Sequence, residues 1–228
     1  MKYPNIVRGR FVSRPNRFIA HVELDGQDVV CHVKNTGRCR ELLVPGATVW
    51  LCKSDNPARK TAYDLIAVDK GGLLINMDSA APNGVFGEFA RAGKFLPDTQ
   101  GVKGEVRFGA SRFDFCITAG GQTHYAEVKG VTLEEDGIVR FPDAPTERGV
   151  RHVRELMEAK AQGFGAHIVF VIQMDRAEYF APNVRTHPAF GAALQEAAAA
   201  GVQIHAYTCR VTPDSLEIAD AVPVVLEE

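Results

Sequence analysis

The sequence predicts two domains, a small all-β barrel over residues 1–80 and an α/β domain with a mixed central sheet over residues 81–228. Three observations carry this. The first third is a series of short β-branched runs broken by turn dipeptides, and helical spacing begins only after residue 80. Beyond that point strand-like and helix-like segments alternate.

The strands of the first domain are IVRGRFVSR, RFIAHVEL, DVVCHVK, ATVWLCKS, AYDLIAV and GGLLINM. Turn signals separate them, among them Asp25-Gly26, Pro45-Gly46, Asn56-Pro57 and Gly71-Gly72. Five or six short strands without a helix suggest a closed barrel, and the oligonucleotide-binding (OB) barrel is the commonest of that size. Such barrels take single strands through a basic groove and exposed aromatic rings. Phe11, Phe18 and Trp50 are therefore candidate stacking residues, although aromatic rings in a small barrel more often fill its core, which is the reading we favour for Trp50.

In the second domain, Asn83 to Lys94 has helical spacing with Pro82 at its entry. GVKGEVRFG and SRFDFCIT read as strands, and a turn at Gly120-Gly121 leads into a returning strand, THYAEVKGVTL. Glu147 to Gln162 reads as a long helix, capped by Thr146 and striped by Val150, Val153, Leu156 and Met157. AHIVFVIQM is apolar nearly throughout, as a strand buried on both faces should be. An Ala-rich helix over residues 189–200 and a last strand, VQIHAYTCRVT, complete the pattern.

Composition narrows the function classes. No apolar run of about 20 residues is present, so no membrane span is expected. The first residues lack the apolar stretch of a signal peptide, which predicts a cytoplasmic protein. Five scattered cysteines without a CxxC pair point to reduced thiols, and the grouping of Cys31, His32 and Cys39 matches no zinc module. Net charge is −2, yet residues 1–40 carry eight Lys and Arg against three acids. That local excess suits phosphate-backbone contact, and it suits a solvated charged face equally well.

Three residues have the pattern of a strand-borne metal site. Asp114 lies in Arg112-Phe113-Asp114-Phe115, between aromatics expected to share the opposite face. Glu127 and Lys129 are two apart and so share one face of their strand. Converging carboxylates repel each other, and Mg²⁺ or Mn²⁺ relieves that repulsion while keeping waters and taking phosphate oxygens. The Val128 carbonyl is a further candidate ligand, and Lys129 a candidate to orient the attacking water. Glu105 and Arg112 are second-line members. Arg148, His152 and Glu155 share a polar helix face, giving a phosphate clamp and a proton-transfer group. The plainer alternative is a solvent-facing Glu-x-Lys ion pair.

RFVSRPNRFIAHV, HVKNTGRCREL, PGATVWL, DSAAPN, GASRFDF, YAEVKGVTL and FPDAPTERGVRHVREL carry a resemblance along the whole chain to the sugar fermentation stimulation protein family, SfsA. The resemblance implies an OB-like barrel followed by a domain similar to the PD-(D/E)XK nucleases. It also implies DNA binding and a link to regulation of sugar (maltose) metabolism. On that likeness the motif acid falls on Asp114, the (D/E)XK on Glu127 and Lys129, and the upstream acid on Glu105. Phe113 stands where the superfamily's proline would be. Asn35, Thr36, Gly37 and Arg38 match a family stretch that reads either as a polar turn or as a phosphate or base contact. The candidate nucleic-acid set is thus Arg14, Arg17, Lys34, Asn35, Thr36, Arg38, Arg112, Arg148 and His152; the metal set is Asp114, Glu127 and Val128. A homodimer follows only by analogy with that superfamily. A metal-dependent DNA nuclease is the leading expectation and a non-catalytic DNA-binding regulator the alternative. A sugar sensor ranks last, since no sugar-stacking motif is present.

Overall fold

The computed structural model describes residues 1–35, 37–109 and 111–227. Six strands come first: β1 (Ile6–Asn16), β2 (Ile19–Leu24), β3 (Gln27–Val33), β4 (Thr48–Lys53), β5 (Tyr63–Lys70) and β6 (Leu73–Asn76). Their order is β3-β2-β1-β4-β5-β6, and β3 also pairs in parallel with β5 through Cys31↔Tyr63 and Val33↔Leu65. That last pairing closes five strands into a barrel. Long β1 serves both β2 and β4, with register shifts after Phe11 that let it bend around the axis. Phe11, Ala20, Val22, Cys31, Val49, Leu51 and Leu65 fill the interior at alternate positions of their strands. Each large side chain buried this way contributes about 2 kcal/mol.

The second domain runs α1 (Ala81–Arg91), β7 (Thr99–Phe108), β8 (Ser111–Ala119), β9 (Gln122–Val131), β10 (Leu133–Glu135), β11 (Ile138–Phe141) and α2 (Glu147–Ala161). It continues through β12 (Gly165–Ile172), β13 (Tyr179–Pro182), α3 (Pro188–Ala199), β14 (Gln203–Thr212) and β15 (Ser215–Ala221). The main sheet has the order β15-β14-β12-β9-β8-β7. Its centre is parallel, with β12 between β9 and β14, and its flanks are antiparallel, so the sheet is mixed as expected. All eight residues of β12 are buried, because α1 covers one face and α2 with α3 the other. Thr146 caps α2 by accepting from the Gly149 N–H at 3.1 Å, as its sequence position predicted.

Two features were not expected. A small sheet, β10-β11-β13, and the edge strand β15 had no clear sequence signal, since the small-sheet strands are three or four residues long and partly charged. The first three residues leave the barrel and join the second domain. The Met1 amino group binds Glu88 and the Leu216 carbonyl, and Tyr3 N–H donates to Asp214.

The junction between the domains is a buried polar knot. Fully buried Asp78 accepts from Lys34 and from the Tyr3 hydroxyl at 3.3 Å. The Gln173 amide, at the end of β12, donates to Asn76 at 2.9 Å and to the Asp78 carbonyl at 3.0 Å. Buried polar groups that satisfy one another fix a single arrangement of the chain. Among the described residues no helix is long and apolar enough to cross a membrane.

Candidate active site

The site forms where β8 breaks step with β9. Their ladder starts at Phe115↔Ala126 and runs toward the hairpin turn. Beyond that pair, the Asp114 side chain accepts the Val128 N–H at 2.8 Å. Phe113 and Phe115 therefore do not share a face, as strict alternation would require. Phe113 packs with Phe108 and Tyr125 in the α2 layer, and Phe115 against Phe86 of α1. On β7, directly across the hairpin, Glu105 has a φ of +56°, the mark of the same irregularity. Asp114 is further held by the Asn83 amide of α1, which donates to its other oxygen at 3.0 Å. Burial pushes its carboxyl pKa up, and the nearby Glu127 charge adds to this against the Val128 and Asn83 hydrogen bonds.

Glu127 points to the opposite layer, toward α2, and is 2 % exposed. Its Oε1 receives the Lys129 ammonium at 2.6 Å and the His152 Nδ1 in a short contact. Arg148 Nε donates to His152 Nε2 at 3.2 Å. A guanidinium can only donate, so Nε2 carries the lone pair and Nδ1 carries the proton that faces Glu127. His152 thus reaches inward and orients the carboxylate, while Arg148 holds the imidazole from the exposed surface of the helix. Burial alone would raise the Glu127 pKa, but His152 and Lys129 outweigh it and hold the carboxyl below its usual range. Glu127 Oε2 is buried and has no partner. Directly after Lys129, a Cβ at Gly130 would meet Gln173 Oε1 at 2.6 Å and Pro82 at 2.7 Å, so glycine is what lets α1 and the junction close on this strand.

The other expected residues divide. Glu105 does not join the carboxylates; it is exposed and pairs with equally exposed Arg112 at 3.3 Å. The positive φ at Glu105 interrupts the alternation of β7 there, and Asn83 is the α1 residue that meets Asp114. Arg14 is not offered to a ligand: its guanidinium donates to the carbonyls of Arg17, Asn35, Gly37 and Arg38 at 2.7–2.9 Å. Lys34 is bound to Asp78. The Asn35 side chain folds back onto the Gly37 N–H at 2.8 Å, a polar turn. The Arg38 N–H donates to Asp143 at 3.2 Å while its side chain is exposed, and Arg17 is exposed beside Phe18. Thr36 lies outside the described residues. Phe11 belongs to the barrel core, Trp50 is half-buried, and Phe18 is 50 % exposed.

Sequence reasoning missed Asn83. Nothing in its spacing marks it, because its value depends on α1 crossing the Asp114 break.

Among the described residues no three His, Cys, Asp or Glu side chains converge as a ready-made metal cage. The set nevertheless fits a hard cation of the Mg²⁺ type, which needs only one or two carboxylates and fills its remaining positions with water and substrate oxygens. The unpartnered, buried Glu127 Oε2 carries that fit, since an orphaned carboxylate oxygen costs on the order of 1–3 kcal/mol unless something binds it.

A closed OB barrel followed by a mixed α/β sheet domain defines the class of the protein. The barrel matches a family model described as the SfsA N-terminal OB domain over residues 12–77, and residues 80–215 match the sugar fermentation stimulation protein RE domain. A sugar fermentation stimulation protein homolog of Desulfitobacterium hafniense (strain Y51) is 58% identical over the full length of both chains. A homolog of Clostridium beijerinckii is 53% identical over 99% of this chain and all of its own. The chain belongs to the sugar fermentation stimulation protein (SfsA) family. A structure described as Pyrococcus furiosus SfsA in complex with Ca²⁺ superposes with a TM-score of 0.89 at 26% identity, covering 99% of this chain and 98% of that one.

Proposed function

We propose that this chain is a divalent-metal-dependent nuclease, with DNA as its first candidate substrate and Mg²⁺ or Mn²⁺ as its cofactor. The observation that carries the reading is the buried, partnerless Glu127 Oε2, with a second carboxylate, Asp114, near enough for the Glu127 charge to add to burial in raising its pKa. The Ca²⁺ described for the Pyrococcus furiosus relative is the same kind of hard cation, which supports it.

Asp114 and Glu127 would hold the ion, with the Val128 carbonyl as a further oxygen. When bound, such an ion lowers the pKa of a coordinated water and offsets charge on the transferring phosphate. The chain's own residues supply the rest. Asn83 and the Val128 N–H fix Asp114. His152, held by Arg148, fixes Glu127 in its ionised form. The Lys129 ammonium, 2.6 Å from Glu127, brings positive charge to where the phosphate would become more negative.

The test is cleavage of labelled single- and double-stranded DNA by wild type and by Glu127→Ala/Lys129→Ala, with Mg²⁺, with Mn²⁺ and with EDTA. Cleavage that requires metal and vanishes in the variant is expected. Binding without cleavage under every condition would overturn the nuclease reading in favour of a non-catalytic DNA-binding regulator.

A further inference from the structure

The helix that carries Asn83 begins without a cap of its own. Its N-cap residue is Ala80, whose methyl group offers no acceptor to the open N–H groups of the first turn. Asp78 takes that part from two residues upstream. Its Oδ1 accepts the Ala80 N–H at 2.9 Å, and its backbone carbonyl accepts the Ala81 N–H at 3.1 Å. A carboxylate here also faces the positive end of the helix dipole.

The other oxygen of Asp78 is tied to the barrel segment. Oδ2 receives the Lys34 ammonium at 2.5 Å and the Tyr3 hydroxyl at 3.3 Å. Ser79 adds a second link, its hydroxyl donating to the Lys34 carbonyl. The Asp78 side chain is 1 % exposed, so its charge depends on Lys34 rather than on water.

The same first turn of α1 meets the site. Asn83 donates to Asp114 at 3.0 Å, and Pro82 packs where Gly130 follows Lys129. A shift of about 0.5 Å at the start of the helix would stretch the Asn83 bond to the limit of hydrogen-bond range. An unbroken line of contacts therefore runs from Lys34 through Asp78 and α1 to Asp114.

We propose that Asp78, neutralised by Lys34, is a positioning residue for the site: it sets the first turn of α1 and, through Asn83, the aim of the Asp114 carboxylate. Lys34 then supports the site from the barrel side and is not a contact for substrate. The proposal deepens the nuclease reading and rests on it only for what Asp114 binds.

Lys70 supplies the control. It joins β5 to Glu134 of the second domain at 2.6 Å, and neither partner bonds to α1 among the described residues. Nitrogen–proton correlation NMR of the metal-free protein follows the Asn83 side-chain amide, identified by its loss in Asn83→Ala. Asp78→Asn, which turns an amide toward Lys34 and Tyr3, should move that resonance, and so should Lys34→Met; Lys70→Met should leave it in place. Titration with Mn²⁺ reads the consequence. Affinity should fall about tenfold in Asp78→Asn, and should fall no further when Asp78→Asn is added to Asn83→Ala. Thermal melting checks that each variant is folded. An Asn83 resonance unmoved in both Asp78→Asn and Lys34→Met, or losses of affinity that simply add, would overturn the proposal. Absence of Mn²⁺ binding by wild type would overturn the nuclease reading, and the Asn83 resonance would still decide whether Asp78 aims that side chain.

Discussion

Two buried polar clusters share strand β9, three residues apart, and face opposite layers of the sheet. Glu127 turns toward α2 with its neighbours Lys129, His152 and Arg148. His124, on the other face, begins a row of three imidazoles across β9, β12 and β14: its Nδ1 meets His167 Nε2 at 3.0 Å, and His167 Nδ1 meets His205 Nε2 at 3.1 Å. Phe95 closes over this row with its edge toward His167 and His205. Each neutral imidazole has one donor and one acceptor, so the two bonds along the row form without a charge, and a backbone hydrogen bond to Ala119 holds its His124 end. The Glu127 cluster is charged, crowded on one oxygen and unpartnered on the other. Burial is common to both, and only the second leaves a group that asks for a ligand.

The largest effect sharpens that contrast. Glu127→Gln keeps the shape of the side chain and removes the charge, and metal-dependent cleavage should fall by roughly 100-fold or more. A fall of less than threefold in single-turnover assays would put Glu127 with the imidazole row, as structure only.

The row should respond in stability instead. His167→Ala leaves His124 and His205 without their partner and opens a cavity, at a cost of roughly 2–4 kcal/mol in denaturant unfolding, with metal affinity unchanged. Its pH dependence has a definite sign. Burial, then the neighbouring His205 and His124, lower the His167 pKa from 6.5 to about 3, and burial lowers His205 to about 4. The unfolded chain therefore takes up protons first. Stability contributed by the row is full above about pH 6.5 and is lost as pH falls toward 3. In His167→Asn the slope of unfolding free energy over that range should be shallower.

Arg148 probes the link between helix and carboxylate. Arg148→Met removes the donor that fixes the His152 tautomer, and Mn²⁺ affinity should drop about tenfold, as for other residues that orient a metal ligand. Equal affinity, measured by titration calorimetry, would mean that Arg148 serves another purpose.

The smallest effect runs against intuition. Burial and the Glu127 charge hold Asp114 at a raised pKa, so its ionised form is disfavoured in the folded protein and weakens it as pH rises. Asp114→Asn in EDTA at neutral pH should therefore melt about 2–4 °C higher than wild type, while losing cleavage. A lower melting temperature would show that the hydrogen bonds to Val128 and Asn83 outweigh the repulsion.

Much of this organisation was legible in the sequence, and the exceptions have physical causes. Strands β1 to β6 and helices α1, α2 and α3 followed from period and turn chemistry, because local pattern and burial agree there. Asp114, Glu127 and Lys129 stood out because polar residues two apart in an otherwise apolar strand are conspicuous. The inward role of His152 was hidden by its place beside the Val150 and Val153 stripe, where one residue's rotation decides between solvent and core. Glu105 was named for its place in the upstream strand and by the resemblance, and nothing local announces the positive φ that breaks the alternation of β7 there. Arg14 looked like a surface cation, and nothing local says that four carbonyls converge on it. The imidazole row was invisible, since His124, His167 and His205 are neighbours only through the register of parallel strands.

The most direct test of the central claim is Mn²⁺ binding followed by electron paramagnetic resonance of the free ion, on wild type and Glu127→Gln. One Mn²⁺ per chain in wild type, lost in the variant, is the predicted result. No Mn²⁺ bound by wild type, or equal binding by both, would contradict the assignment of Glu127 and Asp114 as the ligands of a catalytic metal.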